Sequence, residues 1–152
     1  CALPIYRAVS IERRLEAMRQ FYEAGVETTC FISPIFPGIT DVKAIIERVK
    51  GQCNMVWLEN LNLRGDYKKR ILDWIHANHP ELDELYREIY TKKSREYWEM
   101  LDREIREYTA HEGMMYTRDD DLHRSPFGEP PVVCNCFYHE EITKSAKKAA
   151  KN

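Results

Sequence analysis

Two apolar runs dominate this chain, each preceded by an amphipathic helical pattern and each ending in a rigid or polar turn. The first helix is expected from Ser10, which can cap it, with Glu12 in its first turn and Ile11, Leu15, Met18, Phe21 and Tyr22 on one face. Gly25 suits the left-handed position that ends such a helix. A strand is expected over 26–33, rich in Thr28, Thr29, Phe31 and Ile32, and closed by Pro34, Pro37 and Gly38 because proline cannot continue a central ladder. Thr40 or Asp41 then caps a second helix carrying Val42, Ile45, Ile46 and Val49, and Gly51 ends it. The run 54–59, with Met55, Val56, Trp57 and Leu58, is nearly continuous in apolar residues, as in a strand of a parallel sheet buried on both faces. Helix, strand, helix, strand in this order is the pattern of an α/β protein.

After Gly65 the pattern turns helical. Asp66 can cap a helix through Ile71, Leu72, Trp74 and Ile75, which Pro80 punctuates. Leu82, Leu85, Tyr86 and Ile89 mark a short helix. Ser94 can cap another, with Tyr97, Trp98, Leu101, Ile105 and Tyr108 on one face. Residues 113–131, including Asp119 to Asp121 and Ser125 to Gly128, read as loop, and 132–138 as a last strand. The chain divides accordingly into 1–9, 10–66, a mostly helical extension over 67–142, and a basic tail over 143–152 that is expected to be disordered.

With 152 residues the chain is too short for a complete eightfold barrel, which takes roughly 250. A formal net charge of −2 is not the basic stripe of a nucleic-acid binder. No run approaches the ~20 apolar residues of a membrane span. No secretory leader is evident in residues 1–9, and the five cysteines are too unevenly placed for a disulfide framework, so a cytoplasmic setting is expected. Cys1 to Ile5 matches the translation of a short-read sequencing adapter. Residues 1–5 are therefore expected to be a library scar, and 1–9 a scar and truncated end, the alternative being an internal fragment that happens to read this way; either way 1–5 are set aside.

Three stretches could carry chemistry. The first, Ser33-Pro34-Ile35-Phe36-Pro37, lies where a strand hands over to a helix, the end at which parallel α/β proteins bind ligands. Its prolines could present a rigid backbone edge to a flat ligand, or simply stiffen a connection. The second, Glu59-Asn60-Leu61-Asn62-Leu63-Arg64, crowds a carboxylate, two amides and a guanidinium at the next strand end. Such groups favour a cleft over burial, the alternative being a polar loop using Asn for turn chemistry. Both stretches fall at the same end of adjacent strands, which favours one shared cleft. The third, Cys134-Asn135-Cys136 with His139, points its thiols one way and the imidazole the other, so buried thiols are expected rather than a metal site. Phosphate-loop, hydrolase-triad and metalloprotease motifs are absent.

From Ser10 to Asp41 the chain resembles the fifth helix–strand unit of a radical S-adenosylmethionine enzyme, where a Pro-Ile-x-Pro-Gly-x-Thr-Asp turn follows an Ala-Gly-Val turn, here Ala24-Gly25-Val26. The Glu59 to Gly65 segment resembles the sixth strand end of the spore-photoproduct-lyase-like branch. Within it the likeness is greatest to the radical SAM mobile pair protein B group, with a Tyr97-Trp98 pair and a Phe137-Tyr138-His139-Glu140 motif.

The resemblance implies an α/β fold consisting of the last two β/α units of a partial (β/α) TIM-like barrel, plus a mostly helical extension. It implies S-adenosylmethionine and a [4Fe-4S] cluster as cofactors of an intact parent enzyme, which forms a 5′-deoxyadenosyl radical. The cluster's thiolate loop is absent here, so no bound cofactor and no activity are expected of this chain by itself. The partner implied is the missing amino-terminal barrel half, and the substrate is unknown. Cofactor contacts are expected from Ser33, Pro34, Ile35, Phe36 and Pro37 at the fifth-strand position, and from Glu59, Asn60, Asn62 and Arg64 at the sixth. The alternatives are a standalone helical protein-interaction module without cofactor, using residues 67–112, and a small zinc protein using Cys134 and Cys136.

Overall fold

The computed structural model describes residues 9–118 and 132–135. Helix α1 is Ile11–Glu23, begun by Ser10, whose hydroxyl accepts from the Arg13 amide at 3.3 Å. None of its residues is fully buried, and only Leu15 and Met18 lean on the core. Strand β1 is Thr29–Ile35, helix α2 is Val42–Val49, and strand β2 is Met55–Asn60. Asp41 caps α2 by accepting from the Ala44 amide at 2.9 Å. Then follow α3 at Tyr67–Asn78, a 3-10 turn at Pro80–Leu82, α4 at Asp83–Tyr90 and α5 at Glu96–His111. Strands β3 at Met115–Arg118 and β4 at Val132–Asn135 complete a four-stranded sheet in the order β1-β2-β4-β3, with every pair parallel. The chain is therefore an α/β protein.

Four local expectations are corrected. Strand β1 does not stop before Pro34 but runs through it. It lies at the edge of the described sheet, and its register breaks between Ile32 and Ile35. Ser33 and Pro34 together face Glu59 alone, a bulge in which the missing proline N–H is tolerated. The Ser33–Pro34 peptide is cis. Asp66 precedes α3 but has helical dihedrals and makes no capping bond. Arg95, not Ser94, holds the cap position of α5, while the Ser94 hydroxyl accepts from the Glu96 amide at 3.3 Å. Residues 115–118, read as loop, form β3 because β4 supplies a partner that no local pattern announces. Cys136, the Asp119–Asp121 run, the Phe137–Glu140 motif and the basic tail lie outside the described residues.

Strand pleating sorts the sheet into two unlike faces. Cys30, Ile32, Val56, Leu58, Val133 and Tyr116 join the main apolar core with Val42, Ile46 and Val49 of α2 and Trp98, Leu101 and Ile105 of α5. On the other face stand Phe31 and Ser33, Trp57 and Glu59, and Thr117. No residue of that face joins either apolar cluster of the molecule. Met55, Val132 and Cys134 are buried there, but Phe31 is 57% exposed. Among the described residues, helices clothe one side of the parallel sheet.

Polar contacts bolt α5 to the sheet layer. Tyr116 donates to the buried Asp102 carboxylate, and the Arg106 guanidinium lies 4.7 Å over the Tyr116 ring. Tyr108 donates to Glu47 of α2 at 2.6 Å, and burial with that carboxylate pushes the phenol up to about 12. A second apolar cluster forms from Leu61, Ile75 and Tyr86, with Phe36, Ile39, Leu63, Leu82 and Tyr90 packed against it. It joins both strand-end segments to α3 and α4. No described helix is long and apolar enough to cross a membrane.

Two expected outcomes arise here. The Tyr86 hydroxyl is buried and finds no hydrogen-bond partner among the described residues. An unsatisfied buried hydroxyl costs about 1–3 kcal/mol, so Tyr86→Phe raises the unfolding free energy by about 1–2 kcal/mol in urea denaturation. A loss of stability would mean that the hydroxyl is satisfied.

The second concerns His76, which pairs with Asp83 at 2.6 Å across the α3–α4 junction. The Asp83 hydrogen bond and charge raise the imidazole above its ordinary value. A raised folded-state value favours the protonated form, so this contribution is fully present below about pH 6.5 and is lost as pH rises through the folded value. NMR titration of His76 in the wild type and in Asp83→Asn checks it. The variant's titration midpoint falls, and an unchanged midpoint would refute the pairing.

Candidate functional site

The two polar segments singled out in the sequence meet at the carboxyl ends of β1 and β2. The bulge places Ser33 beside Glu59, and the Ser33 hydroxyl donates to the Glu59 carboxylate. Ser33 and Pro34 are exposed, and Glu59 and Asn60 are half-buried. Asn60 is the register partner of Ile35, and the Leu61 amide donates to the Ile35 carbonyl at 3.1 Å. Farther along, Arg64 Nε donates to Asn62 Oδ1 at 3.1 Å, and the Tyr67 hydroxyl donates to the Asn62 carbonyl. Arg64 therefore folds back within its own segment.

The rest of the first segment turns inward. Ile35 is fully buried, Pro37 is buried, and Phe36 packs on the second cluster. The backbone of the turn is largely engaged within the fold. The Phe36 amide donates to Thr40 Oγ1 at 3.0 Å, and the Phe36 carbonyl accepts from Ile39 and Thr40 at 3.1 and 3.0 Å. Among these five residues, Ser33 and Pro34 are the ones whose side chains reach solvent freely.

Two phenols from the helical segment hold the strand ends. The Gly38 amide donates to the Tyr97 hydroxyl at 3.1 Å, and the Tyr90 hydroxyl donates to the Leu61 carbonyl at 2.8 Å. Lys68 Nζ donates to the Tyr90 carbonyl at 2.7 Å. Burial pushes both phenols up, so they stay protonated, and Tyr90 remains a donor across the working pH range. Sequence reasoning placed Tyr97 on a helix face but had no signal for a contact 59 residues away. It also read Trp57 as part of a strand buried on both faces, and assigned Phe31 to neither face of its strand. Strand alternation does carry a signal for their true place, since each stands two residues before Ser33 or Glu59 and so shares their face.

Cys30 and Cys53 are both held as protonated thiols. Burial raises Cys30, and burial together with Cys30 pushes Cys53 up to about 11. Cys134 is buried. Among the described residues no three His, Cys, Asp or Glu side chains stand together as a metal would require. A cavity of about 280 Å³ between α3 and α4, lined by Leu72, Ile75, His76, Asp83 and Tyr86, belongs to the helical layer and borders none of the strand-end residues.

Comparison with known proteins finds relatives without an assigned role. An uncharacterized protein of Methanocaldococcus jannaschii is 36% identical over 76 residues, covering 50% of this chain and 29% of the relative. Uncharacterized proteins of Mycobacterium tuberculosis and Mycobacterium bovis are 28% identical over 86 residues, 53% of this chain and 25% of theirs. The chain thus spans less than a third of the length of the curated relatives it matches. No family model matches it. No solved structure matches it.

Proposed function

We propose that this chain is the carboxyl-side part of a radical S-adenosylmethionine enzyme, contributing two β/α units of its barrel and the helical extension that braces them. One observation carries the reading. Among the described residues the parallel sheet is clothed by helices on one face only, and both polar segments converge at the carboxyl rim of the other face. Open doubly wound sheets carry helices on both faces, whereas a barrel wall carries them outside and keeps side chains within. A bulge at the rim fits this reading, since bulges gather at barrel rims and beside active sites. The much greater length of the relatives also supports it.

The strand order departs from a simple barrel, in which β3 would follow β2 directly. Here β4 stands between them.

Ser33, Glu59, Asn60 and Asn62 offer a hydroxyl, a carboxylate and two amides, a donor and acceptor set suited to ribose hydroxyls and an adenine amine. Bound S-adenosylmethionine would supply the radical chemistry. The described cysteines do not fit an iron–sulfur cluster, because two are held as neutral thiols and no three approach one another. In this proposal the cluster ligands belong to another part of a longer polypeptide. The interaction-module alternative has less behind it, because the apolar faces of α4 and α5 are used inside the two clusters.

The test is anaerobic reconstitution with iron and sulfide. The Methanocaldococcus jannaschii relative gains iron–sulfur absorbance and converts S-adenosylmethionine to 5′-deoxyadenosine, while the 152-residue chain does neither. A colourless, inactive relative, or a brown and active chain, overturns the proposal.

A further inference from the structure

We draw no further inference here: the strongest candidate, the apolar surface of α1 and the turn into the edge strand β1, where Ile11, Phe21 and Val26 are exposed, carries nothing because nothing in the structure shows what covers it.

Discussion

Gly38→Ala lowers the unfolding free energy by about 2–4 kcal/mol, the larger part of it from sterics. Gly38 has φ of 71°, where a side chain costs about 1–2 kcal/mol. An added Cβ would also stand 2.8 Å from Leu82 Cδ2, 3.3 Å from Leu82 Cδ1 and 3.4 Å from Leu85 Cδ2. Overpacking of that kind costs about 1–3 kcal/mol. Any shift of the turn also lengthens the bond from the Gly38 amide to Tyr97. For a domain of this size the melting midpoint falls by roughly 5–15 °C. Gly51 is the control, with φ of 73° and nothing within 4 Å of an added Cβ, so Gly51→Ala costs only about 1–2 kcal/mol. Equal losses at the two positions would show that Leu82 and Leu85 do not close on the turn.

Leu58→Ala costs about 2–5 kcal/mol, while Phe31→Ala costs less than about 0.5 kcal/mol. Leu58 is fully buried in an inner strand and belongs to the main core. Phe31 sits on the neighbouring strand but on the opposite face, where it is mostly exposed and joins neither cluster. Urea denaturation of both variants tests the one-sided dressing of the sheet. A large loss from Phe31→Ala would mean that this face is packed.

Helices α1 to α5 were legible wherever apolar spacing matched the helical period. Trp98, Leu101 and Ile105 of α5 do face the core together. Caps were legible where the side chain bonds locally, as Ser10 and Asp41 do. Asp66 has the right chemistry but helical dihedrals, so its identity misleads. Strand β2 was legible as an inner strand because its apolar run needs cover on both faces. The end of β1 was not, because a proline rule for central strands was applied to an edge strand with a bulge. Strand β3 has four residues, Met-Tyr-Thr-Arg, and its only described partner comes later in the chain. Local pattern cannot reveal it.

Convergence of the two polar segments followed from parallel strands sharing a carboxyl end, and Ser33 and Glu59 do meet there. The inward turn of Ile35, Phe36 and Pro37 depends on the second apolar cluster, which α3 and α4 complete from far along the chain. The bonds from Tyr90 and Tyr97 likewise bridge segments 29 and 59 residues apart. Such contacts are set by tertiary packing and leave no mark in local spacing.

The placing of β4 between β2 and β3 bears on how the molecule is made. A ribosome delivers β3 before β4, yet β3 pairs with no described strand except β4. During translation the nascent chain can therefore join β1 to β2 early, but it must hold Met115–Arg118 unpaired until Asn135 has emerged. Pairing of β3 is a late event governed by when β4 leaves the exit tunnel. A stalled or prematurely terminated chain would present an unzipped strand to chaperones and proteases.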